Sequence, residues 1–168
     1  MKNRTKTNQI RRVIFAAMLA ALCCVTTLFL KIPLLNGYIH LGDCFCLLSG
    51  WFLGPLWGSI AAGLGSALAD LAGGYPVYIP ATFVIKAGMA LIASLLLQKK
   101  RTLPTRILTA AIAEAFMVVG YFLFEWPLFG FAGALEAVPG NLLQAAGGIL
   151  FASVLWQCAA PLLKRFRD

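Results

Sequence analysis

Four ionisable side chains, Asp43, Asp70, Lys86 and Glu114, stand inside or beside runs of residues too apolar to face water. Such a group is costly at membrane depth, usually faces a bundle interior or a watery cavity, and points by default to a functional site. Asn36, Tyr38, His40, Tyr75, Tyr78, Thr82, Asn141 and Gln144 accompany them near the ends of the apolar runs. The chemistry within reach of this set is ion pairing, hydrogen bonding and stacking of aromatic rings on a flat heterocycle. The substrate-binding candidates are therefore these twelve residues.

Each candidate also has a purely structural reading. Asp43, close to the start of a helix, is a favourable partner for the helix dipole. Asp70 stands at a helix end where a carboxylate opposes the dipole, so a ligand, a cation or solvent must stabilise it. Lys86 either snorkels to the interface or pairs with Asp43, Asp70 or an anionic ligand group, and a buried pair is the preferred expectation. Glu114 is the deepest acid by sequence, set among Ala110, Ala111, Ala113 and Ala115, as a packing contact or a site residue. His40 is an interfacial side chain or a ligand contact, and Asn141 and Gln144, three apart, share a helical face.

Other chemistries lack their residues. The chain has no Walker A sequence, no GxSxG, no HExxH and a single His, so ATP hydrolysis and metal-assisted hydrolysis are not supported. No cofactor or metal is expected: Cys44-x-Cys46 is at most half a metal site, and alternate helical positions point about 200° apart. The five cysteines are odd in number and apolar in setting, which argues against a disulfide framework. An intramembrane acid–base enzyme using Asp43, Asp70 or Glu114 remains the nearest enzymatic alternative.

The elements that must position these residues are membrane helices. Of 168 residues, 61% are hydrophobic and 12% charged, with mean hydropathy +0.85, far from the roughly 25% charge of soluble domains. The net charge of +8 does not indicate nucleic acid, because Lys and Arg gather at the two termini and at 99–106. The run at 13–30 has 18 residues, longer than a signal-peptide core, and equally apolar runs follow it. At roughly 20 apolar residues per crossing, the reading is an all-α membrane protein: one domain over 1–168, a compact bundle of six spans near 13–30, 41–54, 57–72, 80–97, 107–125 and 139–163. The segment 125–139 is expected to be a loop. Positive charge at both termini and at 99–106 places all three in the cytoplasm and the polar candidates outside. In the first span Ala16, Ala17, Ala20 and Ala21 form overlapping small-residue pairs on one face, for packing within the bundle or docking of a partner.

The basic start before AAMLAAL, the segment GYIHLGD, the run LGPLWGSIAAGLGSALADLAGGYP and PATFVIKAG resemble the substrate-binding S components of energy-coupling factor (ECF) vitamin transporters over nearly the whole chain. The resemblance implies a subunit of an ABC-type importer in a bacterial plasma membrane. Such a subunit takes up a vitamin or precursor from outside and works with a transmembrane coupling subunit and two cytoplasmic ATPases. Ala16, Ala17, Ala20 and Ala21 would then meet the coupling subunit. Short polar groups with aromatics favour a pyridoxine-like or hydroxymethylpyrimidine-like ligand, with a riboflavin-type S component as the alternative.

Overall fold

The computed structural model describes residues 2–34, 37–97 and 102–165, with side chains placed over 9–31, 40–97 and 102–159. Helix α1 (Lys2–Phe29) starts well before the apolar run, its Lys-, Arg- and Gln-containing first turns being good helix formers outside hydrocarbon. Strands β1 (Lys31–Leu34) and β2 (Gly37–His40) then pair antiparallel, Lys31 opposite His40 and Ile32 opposite Ile39. This hairpin fills the connection between the expected spans 13–30 and 41–54 and is the one departure from an all-α fold among the described residues. Ile32, Ile39 and Tyr38 favour extended backbone, and Pro33 is tolerated because a two-stranded ribbon has only edges.

Helix α2 (Gly42–Gly73) is one helix interrupted by one residue, Gly54, at φ 83° and ψ −174°. That region is open only to glycine. Pro55 follows with a φ already suited to a new helical first turn. The halves fold back closely: a Cβ on Gly58 would lie 2.5 Å from the Ser49 carbonyl oxygen and 2.8 Å from Gly50 Cα. The second half ends on Gly74 at φ 82°, whose amide donates to the Asp70 carbonyl. Helix α3 (Ile79–Leu96) takes Pro80 in its first turn, where a missing N–H costs nothing.

Helix α4 (Leu103–Arg165) is likewise broken at a single glycine, Gly130, at φ 76° and ψ 169°. The expected loop at 125–139 is therefore corrected. Helix runs up to Gly130 and resumes directly after it, carrying Glu136 and Pro139 within the helix and starting the last apolar segment at 131 rather than 139. In an apolar surround, backbone without internal hydrogen bonds is so costly that the helix continues through Pro127 and Pro139.

Among the described residues, four helices are long and apolar enough to cross a membrane: α1 from Gln9, α2, α3 and α4. The bundle has an apolar surface and an apolar core that encloses a few charged side chains. Phe29, Leu68, Val84, Leu108 and Leu150 are exposed, whereas Lys86, Asp43 and Glu114 are among the most enclosed side chains. Cys23, Cys44 and Cys46 are free thiols packed in the core, with Cys23 Sγ 3.5 Å from Cys46 Sγ and 3.3 Å from Ser66 Oγ. Small residues set the helix approaches. A Cβ on Gly65 would lie 2.5 Å from the Ala20 carbonyl oxygen, and one on Gly50 2.3 Å from that of Ala90.

The first-helix alanines do not share one face. Ala16 is buried and Ala20 half-buried toward the bundle, while Ala17 and Ala21 are exposed. One residue along a helix turns the side chain by about 100°, enough to separate the two pairs.

Two glycine substitutions separate backbone strain from crowding. Gly54→Ala has open space for its methyl but must hold a glycine-only conformation, and should lose about 1–3 kcal/mol of stability. Gly50→Ala drives a methyl into the α3 backbone and should lose a similar ~1–3 kcal/mol by overpacking. Denaturant unfolding in detergent, with Gly74→Ser at the exposed helix end as a comparison, measures both.

Candidate functional site

The breaks of α2 at Gly54 and of α4 at Gly130 let segments distant in sequence meet beside the hairpin. The Gly73 position meets Leu28, and Tyr78 meets Glu125, so residues far apart in sequence gather at this end. Asp43 comes from the first turn of α2, Lys86 from the second turn of α3 and Gln144 from the second half of α4.

Lys86 Nζ donates to Asp43 Oδ1 in an ion pair with both side chains completely enclosed. Gln144 Nε2 donates to the other Asp43 oxygen at 2.7 Å, and Gln144 Oε1 accepts the His40 amide at 3.2 Å. The hairpin is thereby tied through one side chain to the buried pair. Lys86 also stands 5.3 Å from the Tyr121 ring centroid, and the Tyr121 hydroxyl donates to Thr82 Oγ1 at 3.1 Å. A cation over an aromatic face keeps an attraction that hydrocarbon cannot supply.

His40 caps this network. Its Nδ1 accepts the Gly42 amide at 3.0 Å and lies 3.3 Å from Thr27 Oγ1, which assigns the ring proton to Nε2. Desolvation, with the Lys86 charge adding to it, outweighs the Asp43 carboxylate and lowers His40 to about 4. The imidazole is neutral at pH 7.

Glu114 approaches the pair from the first half of α4. It is 1% exposed, and neither carboxyl oxygen has a hydrogen-bond partner among the described residues. A Cβ added to Gly148 would lie 2.5 Å from Glu114 Oε1 and 3.0 Å from Asp43 Cβ, so Gly148 is the space into which the two acids converge. Nearer the rim, Tyr78 donates to Glu125 Oε1 at 3.2 Å and packs edge-on against Phe124 and Tyr75. Asp70 is buried, with its backbone carbonyl accepting the Tyr75 amide at 2.8 Å.

The candidates thus divide by position. Asp43, Lys86, Gln144, His40 and Glu114 form an inner network, and Asp70, Tyr75, Tyr78 and Thr82 an outer group linked to it through Tyr121. Asn141 is half-buried one turn from Gln144. Asn36 lies outside the described residues, and of Tyr38 only the β2 backbone is described. Sequence reasoning does not single out Tyr121, Thr27 or Gly148: an aromatic in an apolar run, a threonine and a glycine carry no signal until the helices are packed. The arrangement can present hydrogen-bond donors, acceptors and aromatic rings to a polar organic molecule. Among the described residues no group of three His, Cys, Asp or Glu side chains could hold a metal ion.

Removing one member of the ion pair leaves the other charged and unpaired, so Lys86→Met or Asp43→Leu should each cost about 3–5 kcal/mol. The double variant should recover much of that loss, which a double-mutant cycle in detergent reads directly. His40 supplies a pH signature. Its folded value of about 4 is below the ordinary ~6.5, so the unfolded chain takes up the proton first. Its contribution to stability is complete above about pH 6.5, declines as pH falls through that window and is lost near pH 4. His40→Gln should flatten this segment of the stability–pH curve.

A family model described as the S component of an ECF-type riboflavin transporter matches residues 7–160. An uncharacterised Pyrococcus woesei protein is 34% identical over 128 residues, covering 75% of this chain and 86% of that protein. A solved structure, described as that of the S component of a bacterial ECF transporter, superposes with TM-score 0.77 at 26% identity, covering 93% of this chain and 99% of the other. The sequence motifs, the apolar helices and the hairpin-capped inner network agree with these likenesses, and the chain belongs to the family of ECF-type riboflavin transporter S components.

Proposed function

We propose that this subunit captures riboflavin or a close flavin from the outer face and passes it, with partner subunits, to the cytoplasm. Membership in the family makes the chain a vitamin-binding transporter subunit, a multi-pass cell-membrane protein and not an enzyme. The acid–base reading of Asp43, Asp70 and Glu114 is set aside accordingly. The observation that carries the riboflavin class is the match to the riboflavin-type model over 7–160. On that ground we favour it over the pyridoxine-like or hydroxymethylpyrimidine-like ligand suggested by short polar groups alone.

The site chemistry supports this reading. A flavin joins a flat ring system to a polyhydroxylated chain, and the hairpin end offers Tyr75 and Tyr78 rings beside the polar groups of Asp70, Thr82, Asn141 and Gln144. Asn36 and Tyr38 belong to the same proposed site. The Asp43–Lys86 pair fixes Gln144 and hence the hairpin above it.

The proposed topology is a single domain over 1–168 with six crossings: α1, the halves of α2, α3 and the halves of α4. Both termini and the 99–106 run are cytoplasmic. The first half of α2, 42–53, is only about 18 Å long, short of a ~30 Å hydrocarbon core, and the hairpin covers its outer end. Uptake then rests on a transmembrane coupling subunit and two ATPases, met through the first helix. Exposed Ala17 and Ala21 are the stronger docking residues, since Ala16 and Ala20 pack toward the bundle.

Calorimetry on the purified chain against riboflavin, pyridoxine and hydroxymethylpyrimidine tests the ligand class. Riboflavin should bind tightly without ATP hydrolysis, Gln144→Ala should weaken binding at least about tenfold through the loss of a charge-assisted bond and hairpin anchoring, and preference for a pyridine or pyrimidine would refute the flavin assignment. Ala17→Trp should leave affinity intact and abolish uptake in cells carrying the full complex. Loss of affinity together with misfolding would place Ala17 in internal packing instead.

A further inference from the structure

At the end of the bundle away from the hairpin, a second polar cluster surrounds Trp156. Arg106, in the first turn of α4, stands with its guanidinium carbon 5.2 Å from the Trp156 ring centroid. Phe52 stacks on the same indole at 4.5 Å and 8°, and Trp51 meets it edge-on at 5.7 Å. The aromatic groups fix Arg106 between the start of α4, the end of the first half of α2 and the last segment of α4.

What Arg106 lacks among the described residues is an anionic partner. Arg106 is 6% exposed, Trp51 2% and Ser153 7%, and Arg106 Nε, Trp51 Nε1 and Ser153 Oγ have no hydrogen-bond partner among the described residues. Ser153 stands one turn from Trp156 on the same helical side. Arg106 and Trp51 therefore both meet this indole, each with an enclosed N–H left over, and among the described residues Arg106 has no carboxylate partner. A guanidinium with its Nε withdrawn from water calls for an anion, and its planar fork suits a phosphate.

The neighbouring surface indicates where that phosphate comes from. Leu103, Ile107 and Leu108, on the same two turns as Arg106, are exposed by 40%, 43% and 61%, a surface suited to acyl chains. Lys99, Lys100 and Arg101 immediately precede this helix in the sequence, and basic clusters beside a membrane helix attract acidic lipid. We propose that Arg106, held against Trp156 beside Trp51 and Ser153, binds the phosphate of an anionic phospholipid. In the orientation above this is an inner-leaflet lipid, but its binding does not depend on the identity of the vitamin.

The test uses the full chain in nanodiscs of phosphatidylcholine alone or with phosphatidylglycerol, read by native mass spectrometry of retained lipid and by thermal unfolding. Phosphatidylglycerol should be retained preferentially and raise the Tm. Arg106→Gln should cut that enrichment about fivefold, the worth of one basic contact at a membrane surface, while Arg106→Lys keeps part of it. Trp51→Phe, which removes one donor and retains an aromatic ring, should lower it independently should the Arg106 variants fold poorly. Unchanged enrichment in a folded Arg106→Gln or Trp51→Phe protein would overturn the proposal. Equal stabilisation by inorganic phosphate in phosphatidylcholine discs would identify a free anion and overturn the lipid assignment. Unchanged lipid retention with lost co-purification of the partner subunits would give Arg106 to a protein carboxylate and overturn it likewise.

Discussion

Neither Asp43 nor Lys86 can remain charged alone inside this bundle, and their contact links the helices that build the proposed vitamin site. Removing two charges from water costs several kcal/mol each, so the contact persists only where its remaining hydrogen-bonding capacity is used. Gln144 takes the second Asp43 oxygen, and Tyr121 lies against the ammonium. Three helices and the hairpin are thereby held in register by one ionic contact. Hydrophobic burial has little power to do so in lipid, since the outside of the bundle is as apolar as its interior.

The same constraint accounts for the glycines and small side chains. Helices brought together by packing need close backbone approach, and Gly50, Gly58 and Gly65 provide it at positions where any Cβ would strike a neighbouring backbone. Gly54 and Gly130 serve another purpose. Their conformations break α2 and α4 without a loop, which keeps unsatisfied backbone groups to a minimum where no water can satisfy them.

Charge is distributed by the same logic between the two ends. At the hairpin end, acids, amides and phenols face inward and answer one another through Tyr121 and Gln144. Around Trp156 the groups are donors, and Arg106 rests on an aromatic face. This division is the ground for the proposed solute at one end and the proposed anion at the other. The Cys23, Cys46 and Ser66 contact lies in the core, where the sulfur atoms act as compact packing groups.

Composition and charge placement by themselves determined that this is a helical membrane protein, because apolar runs of this length have no other stable environment. The motifs likewise pointed to the S component family, and the rarity of charge in apolar runs selected Asp43, Asp70, Lys86 and Glu114. Sequence spacing did not determine which of them meet: Asp43 and Lys86 are 43 residues apart and Asp43 and Gln144 are 101, separations that only packed helices close. Nor did local propensity reveal that 125–139 is helical but for Gly130, since Pro and Gly there read as a loop until the cost of unpaired backbone in an apolar surround is included. Tertiary structure also separated Ala16 and Ala20 from Ala17 and Ala21, because the side on which a helix packs is set by its neighbours as much as by its own residues.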